Sequence, residues 1–137
     1  MQKMTQEDKE LLLRDLCARL QYKVKASYYG AEEEMQTYDE IEGVCGDYVE
    51  IGQYSLPIEA IKPYLFPLSS MTEEQYNEFF SYYHNIEMAE IKASGDYLKA
   101  AYLGENAKHD WLNKNHFDYR YLIPMGLAKD ATGLNIY

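Results

Sequence analysis

The sequence predicts an α+β fold: one N-terminal helix, then a small antiparallel sheet or SH3-like barrel, then helices and an apolar C-terminal tail packed on the core. Helically spaced leucines near the start and short runs of β-forming residues up to residue 61 support the first two parts. Helix-capping signals after residue 70 support the third. A chain of 137 residues can bury one sizeable core, so we expect a single domain over residues 1–137.

The first predicted helix begins after Thr5, a good N-cap residue, with Glu7 and Asp8 in its first turn, where carboxylates complement the helix dipole. Its apolar residues recur at helical spacing: Leu12, Leu13, Leu16, Cys17 and Leu20. Charged residues fall mostly on the other side: Lys9, Arg14, Asp15 and Arg19. This pattern predicts an amphipathic helix that docks on the core.

From residue 22 to residue 61 the pattern changes to three to five short strands separated by turns that contain glycine. The strand candidates are YKVKASYY, YDEIEGV, YVEI and YSLPIEAI. Pro57 fits only an edge strand or the end of a strand, because proline cannot donate to a sheet ladder. The next segment, IKPYLFP, carries Pro63 and Pro67 and is expected to be neither regular helix nor interior strand.

A second helix is expected to begin after Thr72, whose hydroxyl forms a capping box with Gln75. Its aromatic stripe is interpreted as helical core: Tyr76, Phe79, Phe80 and Tyr83. Residues 86–104 fit either a helix broken at Gly95 or two short strands joined at Ser94–Gly95–Asp96, and the turn residues favour the strands. A further helix is expected from about Asn106 to Asn115, with Trp111 facing inward.

The closing stretch, HFDYRYLIPMGLAKDATGLNIY, is densely apolar for a terminus. Asp118 is expected to cap a short helical turn that ends near Pro124, and Gly126 and Gly133 permit sharp reversals. We expect the tail to wrap over the core and to complete the sheet with LNIY.

Three segments, KELLLRDLCARL, IKPYLFPLSSMTEEQ and the closing stretch, together resemble a family of small proteins of gut Bacteroidota and of their phages and mobile elements. The resemblance covers about a third of the chain. It implies a cytoplasmic protein of a phage or its host and brings no activity or catalytic residue. The family pattern has Gly at the position of Tyr121 and Ile at that of Lys129; Tyr121 argues against a tight backbone turn at this site.

The net charge of −10 is concentrated in one segment, since no Lys or Arg lies between Lys25 and Lys62. This interval holds nine acids: Glu32, Glu33, Glu34, Asp39, Glu40, Glu42, Asp47, Glu50 and Glu59. Such a segment repels nucleic acids and anionic membranes and attracts basic proteins, although acids also serve solubility alone. All of these acids except Glu59 are the candidate partner-binding residues.

Three functional hypotheses follow. In the first, the chain is a non-enzymatic interaction protein whose acidic, Tyr-rich face binds a basic protein; its inhibitory form would act in counter-defence, by analogy with other small acidic phage proteins. In the second, it binds or sequesters a nucleotide through aromatic and basic residues near the tail: Trp111, Tyr119, Arg120, Tyr121 and Lys129. In the third, it is a structural protein without a ligand. Self-association is compatible with all three.

Catalytic and metal chemistry find little support. His109 and His116 are seven residues apart, a spacing that does not suit one zinc ion on a helix, and no nucleophile elbow or phosphate-binding glycine loop is present. We therefore expect no metal, no cofactor and no catalytic residue. Cys17 and Cys45 are expected to be free thiols, and the polar start of the chain and the lack of a long apolar run favour a cytoplasmic protein that does not enter membranes.

Overall fold

The computed structural model describes residues 4–29 and 36–137. The helices are α1 (Gln6–Arg19), α2 (Glu73–Ser94) and α3 (Tyr97–Lys114). The strands are β1 (Lys25–Tyr29), β2 (Gln36–Cys45), β3 (Tyr48–Ile51), β4 (Tyr54–Pro57), β5 (Ile61–Pro67), β6 (Phe117–Asp118) and β7 (Lys129–Asp130). The predicted α+β class, with a helix, then an antiparallel-rich sheet, then helices, is confirmed.

The strands form one open sheet in the order β4-β3-β2-β1-β5-β6, and β7 also pairs with β5. The pairs among β1 to β5 are antiparallel, whereas β6 and β7 run parallel to β5. Of the two predicted alternatives, a small antiparallel sheet and an SH3-like barrel, the strands therefore form the sheet. Pro57 ends the edge strand β4, as expected for a residue that lacks an N–H.

The prediction for the proline-bracketed segment was wrong, because Ile61–Pro67 forms β5 in the interior of the sheet. Pro63 pairs with Ala26 of β1, and pairing with β7 starts only at Tyr64. The missing N–H of Pro63 therefore lies outside the stretch of β5 that pairs on both sides. Its fixed φ suits an extended backbone.

The main core lies between α1 and one face of the sheet, which we call the inner face. Leu12 and Leu16 of α1 are fully buried against inner-face residues such as Ile51 and Ile61. A second apolar cluster joins the helices to the sheet and is built around Trp111 and Phe117, whose rings stack with centroids 5.8 Å apart.

The polar side of α1 is not uniformly solvated, in contrast to the sequence prediction. Asp15 and Arg19 have no solvent exposure, and their side chains form an ion pair of 2.9 Å between Arg19 Nε and Asp15 Oδ2. Arg19 Nη2 also donates to the carbonyl oxygen of Phe117 at 2.6 Å. These two charges face inward because the closing stretch covers this side of the helix.

Helices α2 and α3 form an antiparallel hairpin, so the prediction of two strands over residues 86–104 was wrong, and the predicted helix at 106–115 is the second half of α3. Ser94, Gly95 and Asp96 do form the turn, but as the boundary between two helices. Gly95 caps α2 with a φ of 69°, and the Asp96 side chain accepts from the backbone N–H of Lys99 at the start of α3.

The aromatic stripe of α2 belongs to the core only in part. Phe79 packs on Trp111 with centroids 5.2 Å apart, but Tyr76 and Phe80 are exposed, and no α2 residue counts as buried. The predicted capping box is confirmed, since the Thr72 hydroxyl accepts from Gln75 N and the Gln75 side chain accepts from Thr72 N.

The closing stretch wraps over the core as expected, with Leu122, Leu127 and Ile136 buried. It completes the sheet through β6 and β7 rather than through LNIY, because β5 presents its backbone to these two strands. Asp118 caps the turn that follows it by accepting from the N–H groups of residues 122 and 123. Tyr121 adopts a left-handed φ of 59°, so the sharp turn that its side chain argued against is present.

Candidate functional site on the outer face of the sheet

The outer face of the sheet, opposite α1, gathers a row of polar and aromatic side chains. The ladder register fixes its membership, because residues paired across strands point to the same side. Inner-face residues such as Ala26, Ile41 and Val49 alternate along the strands with outer-face residues. The outer-face side chains are Lys25, Tyr38, Glu40, Tyr48, Glu50, Lys62, Tyr64 and Lys129.

One half of this face is acidic and carries Tyr38, Glu40, Tyr48 and Glu50 on β2 and β3. Together with Glu42, which lies at a bulge in β2, we call these residues the acidic half. A β-bulge between Ile41 and Gly43 shifts the register at Glu42, which is exposed. Glu50 pairs with Gly43, and its carboxylate would lie 3.5 Å from a Cβ at that position, so this carboxylate reaches across β2. The rings of Tyr38 and Tyr48 are 47% and 53% exposed and lie on the same face as these acids.

Two predicted partner-binding residues lie away from the acidic half. Asp39 pairs with Ala26 and therefore lies on the inner-face side of the sheet, where it remains exposed. Burial is the main cause of the raised pKa of Tyr28, and the charge of Asp39 adds to it. Asp47 lies in the turn between β2 and β3. The hydrogen bond that Lys9 Nζ donates to Glu59 is the main reason for the raised pKa of Lys9, and the charge of Asp47 adds to it. Asp47 therefore faces the side of the sheet that carries α1.

The other three predicted acids, Glu32, Glu33 and Glu34, lie outside the described residues. The six acids of this segment that the structure describes thus do not form one continuous surface. Period-2 alternation and the bulge distribute them between the two faces.

The acids of the acidic half carry charge that the rest of the described chain does not neutralise. Among residues 4–29 and 36–137, Glu40, Glu42 and Glu50 form no ion pair; the only acid from this stretch of the sequence that does is Glu59, with Lys9 Nζ at 2.8 Å. Unpaired carboxylates beside exposed tyrosines give a surface that attracts cations and offers aromatic contact area.

The opposite half of the outer face is basic. Lys62 on β5 and Lys129 on β7 are close enough that Lys62, after burial, contributes to the lowered pKa of Lys129. Lys25 on β1 donates through Nζ to the Ile136 carbonyl oxygen at 2.9 Å. Tyr38 and Tyr64 meet edge to face between the two halves, with ring centroids 5.9 Å apart.

The residues proposed for a nucleotide are dispersed and largely engaged in internal contacts. Trp111 is buried between Phe79 and Phe117. Arg120 Nη1 donates to Asp15 Oδ1 at 2.8 Å and to the Tyr119 hydroxyl at 3.0 Å. Tyr119 in turn donates to Asn113 Oδ1, Tyr121 is exposed at its turn, and Lys129 lies on the outer face of the sheet.

A cleft lies elsewhere, between the N-terminus of α2, the C-terminus of α3 and the closing stretch. It has a volume of about 410 Å³. Its lining includes Phe66, Gln75, Lys114, Thr132 and Tyr137. A smaller recess of about 170 Å³ lies against Tyr22, Tyr82 and Trp111.

Sequence reasoning missed the polar interior that joins α1 to the closing stretch. His116 stacks on Tyr137 with ring centroids 3.7 Å apart, and burial, with the charges of Arg19 and Lys25, lowers its pKa to about 4. The Tyr137 hydroxyl donates to the Tyr64 carbonyl oxygen at 2.7 Å. The i,i+4 spacing of Asp15 and Arg19 was the only local signal, and it is equally typical of a solvated helix face.

Within residues 4–29 and 36–137, no group of three His, Cys, Asp or Glu side chains is arranged to hold a metal ion. His109 packs on Tyr119, and the carboxylate of Asp118 is engaged by backbone N–H groups. Both cysteines are free and exposed. None of the described helices has the length and apolar character that spanning a bilayer requires.

Comparisons with known protein families, with curated proteins and with solved structures give no match for this chain.

Proposed function

We propose that this protein is a non-enzymatic binding protein whose acidic half engages a basic partner protein. The observation that carries the proposal is a set of three carboxylates, Glu40, Glu42 and Glu50, that form no ion pair with any residue of 4–29 or 36–137 and lie beside the exposed rings of Tyr38 and Tyr48. Tyrosine is enriched at protein interfaces because its ring gives contact area while its hydroxyl stays satisfied.

The mode of binding would use side chains rather than strand addition. The neighbouring edge strand β4 has only four residues and ends in Pro57, and short edges with proline resist pairing with another strand. Carboxylates at the rim of such a contact raise the association rate and make the affinity dependent on salt.

The inhibitory form of this function rests on the family resemblance. For a protein of a phage or mobile element, occupying the nucleic-acid-binding surface of a basic host protein would block that protein, because carboxylates on a sheet present negative charge where phosphates would bind. Counter-defence is the setting in which we propose this inhibition.

The test is capture of partners from a lysate of the encoding host or phage-infected cells by the immobilised wild-type chain and by two charge-reversed variants. Glu40→Lys/Glu42→Lys/Glu50→Lys should lose a basic protein that the wild type retains at low salt and releases at high salt. Glu10→Lys/Glu78→Lys/Asp110→Lys changes the net charge equally at exposed sites elsewhere and should retain it.

Equal loss of the partner by both variants would show that net charge, and not the acidic half, is responsible, and would refute the proposal; full retention by the first variant would refute it as well. A Tyr38→Ala/Tyr48→Ala variant separates the aromatic contribution. It should weaken capture without altering the dependence on salt, since it removes contact area and leaves the carboxylates in place.

A second candidate function, small-molecule binding, is favoured by one observation, the cleft of about 410 Å³ next to Lys114. This volume lies within the usual range for ligand sites, and its lining combines aromatic rings with polar groups. A ligand that binds only the folded state raises the melting temperature. A nucleotide panel that leaves the melting temperature unchanged would count against a nucleotide as this ligand.

A further inference from the structure

The distal half of the α2–α3 hairpin, from Met88 to Leu103, carries apolar side chains that the described chain leaves exposed. We call them the distal patch: Met88, Tyr97, Leu98, Ala101 and Tyr102. Tyr97 is 71% exposed, Leu98 86%, Tyr102 66% and Met88 44%. Tyr97, Leu98 and Tyr102 are the three most exposed large apolar residues of the hairpin.

Helical geometry explains why the patch is uncovered. α3 packs on α2 through small residues spaced by one turn, such as Ala100, Gly104 and Ala107, which are buried. At Gly104 the helices approach so closely that a Cβ would overlap the side chain of Glu87. Leu98 and Tyr102 project from the side of α3 that is opposite this contact.

The side of α3 that carries Leu98 and Tyr102 is exposed, whereas the other side of α3 packs on α2. In a four-helix bundle each helix packs against two neighbours and so buries a wider apolar stripe. A second helical hairpin packed on the exposed side of α3 would supply the second neighbour, and a second copy of this chain provides such a hairpin.

The charges favour a second copy at this place. Between Met88 and Leu103 there are two acids, Glu90 and Asp96, and two bases, Lys92 and Lys99, so this segment has no net charge, whereas the whole chain carries −10. Lys99 Nζ and Glu90 Oε1 form an ion pair of 2.7 Å across the hairpin. A charged partner would therefore gain no net electrostatic attraction at the distal patch.

The distal patch is also remote from the acidic half of the sheet. Tyr97 lies 14 residues before Trp111, which packs on Phe117 of the sheet; this separation is about 21 Å along the helix axis. The distance exceeds two Debye lengths of about 8 Å at physiological salt. Two chains of equal negative charge can therefore meet at this patch with little repulsion.

The exposed area agrees with a weak, closed dimer. With about 200 Å² for each fully exposed large residue, the exposed fractions of the four large residues amount to about 500 Å² per copy and about 1,000 Å² for a pair. This is the lower limit for a specific interface. A two-fold contact requires a self-complementary surface, and an uncharged apolar patch fulfils this condition.

We propose that two copies of this chain associate through the distal patch, hairpin against hairpin, to form a weak two-fold dimer. The dimer uses a surface separate from the acidic half, so each pair presents two acidic halves to a partner. The contact is independent of the proposed function, and each can fail without the other.

Sedimentation equilibrium of the purified full chain tests the dimer, over about 1 μM to 1 mM protein, the range in which small interfaces dissociate. The wild type should pass from one to two copies. Leu98→Glu/Tyr102→Glu should weaken dimerisation by at least about 100-fold, because it places four carboxylates at the two-fold contact. Both positions are exposed and glutamate is a good helix former, so the variant should fold; its circular dichroism verifies this.

The matched control is Met125→Glu/Leu134→Glu, which adds the same charge at two exposed positions outside the hairpin and the acidic half, 46% and 53% exposed. It should dimerise as the wild type does. A wild type that stays monomeric over the whole range, a distal variant that dimerises normally, or equal weakening in the control would each overturn the proposal. If the wild type is monomeric and captures a host protein that only the distal variant loses, the distal patch binds that host protein. This result would also overturn the dimer proposal.

Discussion

Replacing Asp15 with asparagine should lower the free energy of unfolding by about 3–5 kcal/mol, because it leaves a buried arginine without its counter-charge. The carboxylate of Asp15 is fully buried and accepts from two arginines, Arg19 Nε at 2.9 Å and Arg120 Nη1 at 2.8 Å. Each carboxylate oxygen of Asp15 accepts a hydrogen bond from one of the two arginines. Asparagine keeps one acceptor oxygen and replaces the other with an NH2 group. At one of the two arginines, this NH2 group would therefore face an N–H group, and two donors cannot form a hydrogen bond.

Most of the cost arises at Arg19. Its side chain has no exposure, and its Nη1 has no hydrogen-bond partner among the described residues even in the wild type. Arg120 is partly exposed, so water screens the loss of its ion pair, which contributes at most about 1 kcal/mol. The contact of Arg19 with the Phe117 carbonyl oxygen persists but does not neutralise the charge.

The assay is urea unfolding at neutral pH, read as the midpoint and slope of the transition. We expect a lower midpoint and an unchanged slope, since the surface exposed on unfolding stays the same. The control is Glu59→Gln, which removes the carboxylate from a solvent-exposed ion pair with Lys9 and should cost much less than Asp15→Asn, because water screens such a pair. If Asp15→Asn costs no more than this control, the buried pair does not carry the stability that we assign to it.

A double variant tests the physical cause. Asp15→Leu/Arg19→Met removes both buried charges, so it should be less destabilising than the sum of the two single changes. It still leaves the Phe117 carbonyl oxygen without its donor, which costs about 1–3 kcal/mol. Strict additivity would mean that the two side chains do not interact in the folded state.

The remaining predictions concern single positions. Burial, with the charges of Arg19 and Lys25, lowers the pKa of His116 from 6.5 to about 4, so the unfolded chain binds the proton first. The contribution of neutral His116 to the free energy of unfolding is therefore fully present above pH 6.5 and decreases as the pH falls toward about 4. The decrease is at most about 3 kcal/mol, and solvent screening makes it smaller, since the ring is only partly buried. His116→Asn, which tolerates the left-handed backbone, should flatten the pH dependence in urea unfolding; an unchanged slope between about pH 7 and 4.5 would contradict this. Tyr121→Gly should be about 0.5–1 kcal/mol more stable in thermal unfolding than Tyr121→Ala, because glycine relieves the left-handed φ of 59°; equal stabilities would argue against strain there. Thr72→Ala should cost about 1 kcal/mol through loss of the capping box, with faster hydrogen exchange in the first turn of α2, and unchanged exchange would show that the cap is dispensable.

Local signals were enough to predict the parts of this fold that depend on neighbouring residues. The N-caps Thr5 and Thr72, the position of Pro57 at an edge and the α+β order all follow from interactions within a few residues. The turn at Ser94–Asp96 was also recognised, but glycine followed by an N-cap residue is common to strand turns and helix boundaries. Only packing of α3 on α2 decided between them.

For the candidate site, the amino-acid sequence by itself determined how much charge the segment between Lys25 and Lys62 carries, and the tertiary structure decided where that charge points. One bulge at Glu42 and the strand register place Glu40 and Glu50 beside exposed tyrosines and put Asp39 on the other face of the sheet. The same holds for Asp15 and Arg19, which look like a solvated helix face until Phe117, 98 residues after Arg19, brings a carbonyl oxygen to Arg19. Composition and local pattern determine the charge and the helix caps, because these depend only on nearby residues. The burial of a side chain and the sheet face on which it lies are determined by contacts between residues far apart in sequence, which no local pattern encodes.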